Sequence, residues 1–222
     1  DEPVLLAQRS GCPVVAGPIR VAAADLLLEV AECDVIVSDD GLQHHALHRD
    51  LEIVVLDAQR RHGNRRCLPV GPLREPVARL QTVDAVVANG EGEAGEFSMQ
   101  MVNDMPRRLL DASVTRCFAD FATHPVHAVA GIGHPGRFFA ALRAQGLRVI
   151  EHPFDDHHRY CAADLDFGDA FPILMTEKDA VKCVAFATEH CWCVPVRAEL
   201  EADFVTWFDD SLQRIHLNGA VG

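Results

Sequence analysis

The sequence predicts an α/β fold with a parallel sheet, and three observations predict it. Short apolar runs of strand length alternate with segments whose apolar residues recur at helical spacing. Three predicted strands lead into Asp39, Asp57 and Asn89, whose side chains would line one edge of the sheet. A strand–helix–strand unit is visible over residues 127–150. The edge at the carboxyl ends of the strands is the expected rim of an active site.

The first half of the chain is predicted to form four strands and one helix. Each strand is a run of four to six residues rich in valine, isoleucine or alanine, typical of a buried strand. The strands are 13–16, 35–38, 53–57 and 84–89, and apolar residues at helical spacing place the helix at 20–32. A polar, glycine-rich loop follows at 90–96.

The second half begins with a change of unit near residues 118–126. The expected strands are 127–130, 147–150, 172–175 and 191–196, and the expected helices are 136–145, one beginning near Asp179, and 203–216. Thr176-Glu177-Lys178-Asp179 is interpreted as a helix start with Thr176 as N-cap, without a functional role. We divide the chain into a first domain, 1–118, and a smaller α/β domain, 119–222, that ends in a helix.

Composition is typical of a soluble globular protein. The 222 residues are 49% apolar and 24% charged, and no apolar run approaches the roughly 20 residues that span a bilayer. The net charge of −13 argues against a nucleic-acid partner. Eight cysteines are scattered without a Cys-x-x-Cys pair, which favours free thiols in a reducing, cytoplasmic compartment. The chain opens on Asp1 rather than Met, so we expect a fragment or a processed form.

The most informative stretch is Ser38-Asp39-Asp40-Gly41-Leu42-Gln43-His44-His45, at the end of a predicted strand. One interpretation is a turn in which the two carboxylates act as caps and Gly41 takes a positive φ. A turn requires neither two carboxylates nor the Gln and His that follow. We therefore favour a Walker-B-like role, in which one carboxylate holds Mg²⁺ and the other orients its partners.

An arginine island, residues 60–79, contains a single acid, Glu75. Its six arginines are Arg60, Arg61, Arg65, Arg66, Arg74 and Arg79. On so acidic a chain, this island predicts a phosphorylated or otherwise anionic ligand. A solvated loop with incidental ion pairs is the alternative.

Six motifs, in order along nearly the whole chain, resemble the tetraacyldisaccharide 4′-kinase family, the lipid A kinases of Gram-negative bacteria. They are Asp1-Glu2-Pro3, Ser38-Asp39-Asp40-Gly41-Leu42-Gln43-His44, Leu68-Pro69-Val70-Gly71-Pro72-Leu73-Arg74-Glu75-Pro76, Gly131-Ile132-Gly133-x-Pro135-x-Arg137-Phe138, Phe154-x-Asp156-His157-His158 and Thr176-Glu177-Lys178-Asp179-Ala180-Val181-Lys182. Each motif is weak alone, and the six in order are specific.

The resemblance implies a P-loop-NTPase-like parallel sheet core in the first domain. It implies transfer of the γ-phosphate of ATP, with Mg²⁺, to the 4′-hydroxyl of a tetraacyl glucosamine disaccharide 1-phosphate in lipid A biosynthesis. It also implies work at the cytoplasmic face of the bacterial inner membrane. Since no spanning segment or basic amphipathic helix is visible, we expect peripheral membrane contact through an N-terminal part missing from this chain.

The chain departs from the family pattern in one respect. The family carries a Walker A loop upstream of its Asp-Glu-Pro motif, and no G-x-x-x-x-G-K-[ST] occurs in these 222 residues. The cradle for the β- and γ-phosphates is therefore expected to be lost by N-terminal truncation, and this chain alone is expected to be inactive.

The resemblance also implies a catalytic pair. Asp1 would accept the proton of the acceptor hydroxyl, and His157 would hydrogen-bond to it and orient it. The neighbouring His158 is an alternative partner. Asp39 and Asp40 are the main candidates for Mg²⁺ and nucleotide contacts; Glu75, the single acid of the arginine island, is a further candidate for Mg²⁺, and Arg74 beside it could contact a phosphate of the nucleotide. Arg20 lies in a segment that resembles the family's substrate-contacting stretch. Gln43 and His44 could orient the lipid disaccharide or the water shell of the metal, with a supporting hydrogen-bonding role as the alternative.

Two other activities remain open from the sequence. Gly131-x-Gly133-x-x-Gly136 follows a strand and opens a helix, with Glu151 about 20 residues on, as in an NAD-dependent oxidoreductase. His44 and His48, with residues 155–158, could instead supply the ligands of a metal-dependent hydrolase.

Overall fold

The computed structural model describes residues 2–219, with side chains as far as residue 216. The chain forms two compact units. The first unit consists of Asp1–Cys33 with Asn103–Arg197, and the second consists of Asp34–Val102 with Ala198–Gly222. Each unit is therefore built from two separate stretches of sequence, whereas the predicted domains divide the chain at a single point, between residues 118 and 119.

The described residues form five α-helices, four short 3-10 helices and nine strands. The α-helices are α1 Glu2–Ser10, α2 Arg20–Val30, α3 Pro135–Ala144, α4 Glu177–Cys183 and α5 Ala202–Gly219. The strands are β1 Ile53–Asp57, β2 Ala85–Asn89, β3 Phe97–Asn103, β4 Arg107–Arg108, β5 Val126–Ala130, β6 Val149–Pro153, β7 Ile173–Thr176, β8 Cys191–Val194 and β9 Val196–Leu200. Within this part of the chain, no helix is long and apolar enough to cross a membrane.

The first unit contains a five-stranded sheet in the order β4-β8-β7-β5-β6. Its four longer strands are parallel, and β4 pairs with β8 in the antiparallel sense. Every residue of β5 is buried, as expected for a central parallel strand covered on both faces. The core includes Phe139 and Leu142 of α3 and Trp192 of β8. The carboxyl ends of β5 and β6 meet, since Phe154 donates its N–H to the Ala130 carbonyl.

The second unit contains a four-stranded sheet in the order β1-β2-β3-β9, in which β1, β2 and β3 are parallel. Asp57 pairs with Asn89, so two of the three polar strand ends lie side by side as predicted. Phe204 of α5 packs into the core of this sheet, and its ring lies 5.2 Å from that of Phe97. Helix α5 therefore completes the core of the second unit.

The predicted elements from residue 53 onward agree with the observed ones to within three residues, as does the helix at 20–32. The strands predicted at 13–16 and 35–38 are wrong. Val35 and Val37 are 53% and 87% exposed, and no strand among the described residues pairs with this run. An apolar run needs a neighbouring strand for its backbone hydrogen bonds as well as β-propensity. Asp39 consequently follows a segment without regular secondary structure and not a strand.

Candidate functional site

The loop that follows β6 carries the predicted catalytic histidine. His157 has a φ of +62° and donates its N–H to Asp156 Oδ1 at 3.1 Å. Its imidazole is exposed, with Nε2 3.8 Å from Asp156 Oδ2. Asp1, its predicted partner, lies outside the described residues.

His158 occupies a different environment. Its ring packs against Phe154 and Tyr160, with centroids 4.6 and 4.8 Å away, and its Nε2 lies 3.2 Å from Asp164 Oδ2. These contacts explain His158 as a half-buried structural residue. Of the two histidines, His157 is the one whose ring faces solvent.

The motif at the start of α4 reaches this same loop. The Nζ of Lys178 lies 3.4 Å from Asp156 Oδ1 and 3.2 Å from Glu2 Oε1 on α1. Burial raises the pKa of Asp156, but the charges of Lys178 and His157 more than offset this and hold it below its usual value. Sequence reasoning gave Lys178 no role. A signal was present, because Lys178 and Lys182 are the only two lysines among 20 basic residues.

Asp179 anchors the first turn of α4. The Thr176 hydroxyl accepts a hydrogen bond from the Asp179 N–H, which confirms the predicted N-cap. The Thr176 Oγ1 in turn donates to Asp179 Oδ2 at 2.6 Å, and the Gly131 N–H donates to the same oxygen at 3.0 Å. The buried carboxylate therefore ties the end of β5 to the start of α4.

The second unit brings three predicted residues together. Gln43 Nε2 donates to Glu75 Oε2 at 2.8 Å, and Arg74 Nη1 donates to Gln43 Oε1 at 3.5 Å. Arg79 Nε lies 3.6 Å from Glu75 Oε1. The amide of Gln43 thus lies between a cation and a carboxylate, an arrangement that fixes both at the surface of this unit.

Two members of the arginine island are engaged in ion pairs within the fold. Arg61 donates to both oxygens of Glu96 at 2.8 Å, and this hydrogen bonding lowers the pKa of Glu96. Arg79 lies 2.6 Å from Glu52, whose pKa it lowers through hydrogen bonding. These two residues match the incidental ion pairs of the alternative interpretation, whereas Arg74 lies in the Gln43 cluster.

The Asp39–Asp40 turn is exposed. Asp40, not Gly41, has the positive φ, at +50°. A β-carbon at Gly41 would lie 2.7 Å from Ser38 Oγ and 3.1 Å from Ser38 Cβ, so a larger residue there would make the Ser38 side chain shift. His44 contributes its backbone, donating to the Gly41 carbonyl and accepting from Arg49.

No group of three or more His, Cys, Asp or Glu side chains that could hold a metal ion occurs in the described part of the chain. Mg²⁺ in phosphoryl-transfer enzymes is held by one or two carboxylates with substrate phosphates, and therefore needs no such group. The Mg²⁺ role of Asp39, Asp40 and Glu75 stays a prediction. Arg20 is the first residue of α2 in the first unit, where its side chain is half-buried, and its substrate contact also stays a prediction.

Neither alternative activity is supported. A β-carbon at Gly136 would meet nothing within 4 Å, so no close approach requires a glycine there. A β-carbon at Gly131 would lie 2.7 Å from the Tyr160 hydroxyl, which explains that glycine by internal packing. Nothing in the described residues supports a metal-dependent hydrolase, since the side chain of His48 is 87% exposed beside Asp50 and no group of three or more metal-binding side chains includes it.

Comparison with known families gives a match over nearly the whole chain. Residues 1–213 match the model of the family described as tetraacyldisaccharide-1-P 4′-kinase. A tetraacyldisaccharide 4′-kinase from Nitrosococcus oceani is 53% identical over 204 residues, which are 92% of this chain and 60% of that protein. One from Alkalilimnicola ehrlichii is 53% identical over 217 residues, which are 97% of this chain and 65% of that protein.

A solved structure is also similar. The crystal structure of LpxK from Aquifex aeolicus in complex with ATP matches with a TM-score of 0.70 and 29% sequence identity, covering 90% of this chain and 63% of that one. The match confirms the predicted α/β, P-loop-NTPase-like fold class. The chain spans 60% and 65% of the length of the two relatives described above.

Proposed function

Because the chain belongs to the tetraacyldisaccharide-1-P 4′-kinase family, we propose that it is part of an ATP-dependent lipid kinase. The proposed reaction moves the γ-phosphate of ATP to the 4′-hydroxyl of a tetraacyl glucosamine disaccharide 1-phosphate. The observation that carries this proposal is the family match over residues 1–213, with two named kinases each 53% identical. The similar structure that was solved in complex with ATP supports the choice of phosphate donor.

An enzyme that catalyses phosphoryl transfer mainly positions the two reactants and neutralises the negative charge of the phosphates. In the second unit, the guanidinium of Arg74 is the candidate phosphate contact, held in place by the Gln43–Glu75 pair. Gln43 and His44 are candidate contacts for the lipid disaccharide, and Arg20 is a further candidate, argued from the family resemblance alone. The Arg74 guanidinium lies 3.5 Å from Gln43 Oε1, and this contact places it beside the Gln43–Glu75 pair.

The carboxylates of Asp39, Asp40 and Glu75 are the candidate Mg²⁺ contacts. Carboxylate oxygens are the ligands that Mg²⁺ prefers, and the exposed Asp39–Asp40 turn leaves room for water and phosphate oxygens. The ion, when bound, would neutralise charge on the β- and γ-phosphates.

The acceptor hydroxyl must lose a proton during the transfer, and Asp1 is the candidate base. His157 is its candidate partner, since an imidazole hydrogen-bonded to a carboxylate can orient it and tune its basicity. The solvent-facing ring of His157 is consistent with that role. We place the enzyme at the cytoplasmic face of the inner membrane, in peripheral contact, because its proposed acceptor is a lipid.

The test is an assay of the protein expressed from its complete gene. The protein is incubated with γ-labelled ATP, Mg²⁺ and a tetraacyl disaccharide 1-phosphate in mixed micelles. Label is expected in a bisphosphorylated lipid, and chelation of Mg²⁺ should abolish its formation reversibly. The same lipid with its 4′-hydroxyl methylated is the control and should remain unlabelled. Absence of label in the first lipid, or label in the methylated one, would overturn the proposal.

A further inference from the structure

The two lysines of the chain both lie on α4, at positions 178 and 182, while the other 18 of its 20 basic residues are arginines. Lys182 lies over the Tyr160 ring, with Nζ 5.7 Å from its centroid, and pairs with the buried Asp179 at 3.4 Å. Lys178 points elsewhere. It reaches two carboxylates that belong to two other elements of the same unit.

Lys178 links the start of α1 to the loop after β6. Its Nζ lies 3.2 Å from Glu2 Oε1 and 3.4 Å from Asp156 Oδ1, and its side chain is only 20% exposed. Burial alone would lower the pKa of Lys178, but hydrogen bonding to Glu2 and the charge of Asp156 raise it above the usual value. One ammonium group thus contacts two carboxylates, of which Glu2 is 64% and Asp156 46% exposed, and removing it would remove the contact that joins the two segments.

A second contact holds the other end of α1 to the same turn of α4. Arg9 Nη1 lies 3.3 Å from Glu177 Oε2 and donates to the Val196 carbonyl at 2.7 Å. Glu177 also accepts the N–H of Val196 at 3.1 Å. Adjacent residues of α4 therefore fix α1 near its first and its last turn.

The first turn of α4, from which both contacts are made, is anchored to the core of the first unit. The first turn of α4 is capped by Thr176 and fixed to the end of β5 by the fully buried Asp179. Lys178 projects from this turn, and its ammonium group is held by its contacts with Glu2 and Asp156. The carboxylates of Glu2 and Asp156, which Lys178 contacts, are thereby linked to the sheet of the first unit.

We propose that Lys178 is a positioning residue for the phosphoryl transfer proposed above, and this inference rests on that function. Glu2 is bonded directly to Asp1, the candidate base, and Asp156 is bonded directly to His157, its candidate partner. By binding both neighbours, Lys178 sets the separation of the two chain segments that carry the catalytic pair. A displacement of about 1 Å in such a pair can reduce the rate on the order of 100-fold.

The test compares Lys178→Met and Lys178→Arg in the protein expressed from its complete gene. Lys178→Met keeps the apolar stem and removes the charge, so we expect kcat to fall by about tenfold or more while KM for ATP stays within about twofold. Lys178→Arg keeps a cation and should recover most of the loss. A matched control is Arg143→Met, which removes a cation from a half-exposed ion pair with Glu151 in the same unit and should leave kcat unchanged.

A double variant tests the route of the effect. If Lys178 acts through Glu2, the fold-decrease of kcat in the double variant Lys178→Met/Glu2→Gln should be smaller than the product of the fold-decreases in the two single variants. Wild-type kcat in Lys178→Met, an equal loss in the Arg143→Met control, or strictly multiplicative losses would each overturn the positioning role.

Hydrogen exchange separates this inference from the proposed function, because it needs no substrate. Amides in α1 and in residues 155–158 should exchange about two- to fivefold faster in Lys178→Met than in wild type, with β5 unchanged. Unchanged exchange at both segments would refute the link itself. An inactive wild-type enzyme would overturn the kinase proposal, while the exchange result would still decide whether Lys178 holds these segments together.

Discussion

Asp179 illustrates how a single residue can be explained fully by its contacts. Its side chain is fully buried, and it accepts hydrogen bonds from Thr176 Oγ1 and the Gly131 N–H while pairing with Lys182. The capping pattern was visible in the sequence because the cap and its partner lie three residues apart. The contact with Gly131 was not visible, because it joins residues 48 positions apart.

We expect Asp179→Ala to destabilise the first unit by about 2–4 kcal/mol, because it leaves buried donors without an acceptor. Asp179→Asn retains an acceptor oxygen and should cost about half as much. Urea unfolding followed by circular dichroism measures both. Asp120→Ala is the matched control, since Asp120 makes a similar local bond to the Cys117 N–H at an exposed turn. An equal loss in the control would contradict the role given to burial.

Three titratable side chains meet beside β5 and β6. His127 is buried, with Nδ1 2.9 Å from His152 Nε2 and Nε2 3.1 Å from Asp169 Oδ1. The Phe167 ring stacks on both imidazoles. Burial, and next the proximity of His127, lower the pKa of His152. A backbone hydrogen bond from Phe171, and next the contact with His127, lower the pKa of Asp169.

Stability should therefore fall as the pH is lowered. The pKa of His152 in the folded protein is below its ordinary value of 6.5, so the unfolded chain binds the proton more readily. The contribution of His152 to stability is therefore complete above about pH 6.5 and is lost as the pH falls below it. Asp169 acts in the same direction at lower pH, because its folded pKa is also depressed. Urea midpoints between about pH 5 and pH 8 measure this, and His152→Gln should flatten the slope below about pH 6.5. If the urea midpoint of His152→Gln depended on pH as steeply as that of wild type, the role of His152 in acid destabilisation would be contradicted.

At the scale of elements, the strands that were predicted correctly are those marked by a local run of apolar, β-branched residues. β1 and β2 are short runs rich in valine and end at Asp57 and Asn89, and both were located to within one residue. β3 was missed because Phe97–Asn103 mixes Ser, Gln and Asn with methionine and lacks a run of β-branched residues. Residues 35–38 have such a run and yet form no strand, because pairing is decided by neighbours and not by propensity.

Helix α5 gives a prediction at this scale. Phe204 is 8% exposed and packs on Phe97, Trp207 and the β2–β3 core, whereas the adjacent Val205 is 48% exposed. Phe204→Ala should destabilise the second unit by about 3–4 kcal/mol, because it removes a buried ring and leaves a cavity. Val205→Ala should change the free energy of unfolding by less than about 0.5 kcal/mol. Comparable losses in the two variants, measured by urea unfolding, would show that α5 does not complete the core.

At the scale of the whole molecule, the sequence predicted the fold class and the family, and its single boundary differs from the division of the structure into two units. The second unit takes its last helix from the C-terminus, and the first takes α1 and α2 from the N-terminus. A single boundary in the sequence cannot show that the chain comes back to an earlier unit, since this depends on which apolar faces pack together.

The contacts within the candidate site were likewise not visible in the sequence. Gln43, Arg74 and Glu75 were selected by motif, and their mutual hydrogen bonds emerged only in the fold.

The proposed reaction predicts that two of the motif residues affect different kinetic constants. His157→Ala should lower kcat by about 100-fold with little change in KM for ATP, because a partner of the general base acts in the transition state. Arg74→Ala should instead raise KM for ATP by about tenfold, because a charge-assisted phosphate contact is made in the ground state as well. Both are measured by initial rates on the protein from the complete gene, with ATP varied at saturating lipid. Arg214→Ala, which removes a cation whose contacts lie within α5, is the control for net charge.

If His157→Ala changed only KM, the ring would be a binding contact and the proton would have to leave by another route. If Arg74→Ala matched the Arg214→Ala control, the Gln43–Glu75 cluster would be a structural feature of the second unit and the phosphate contact would have to be sought among the other arginines of the island.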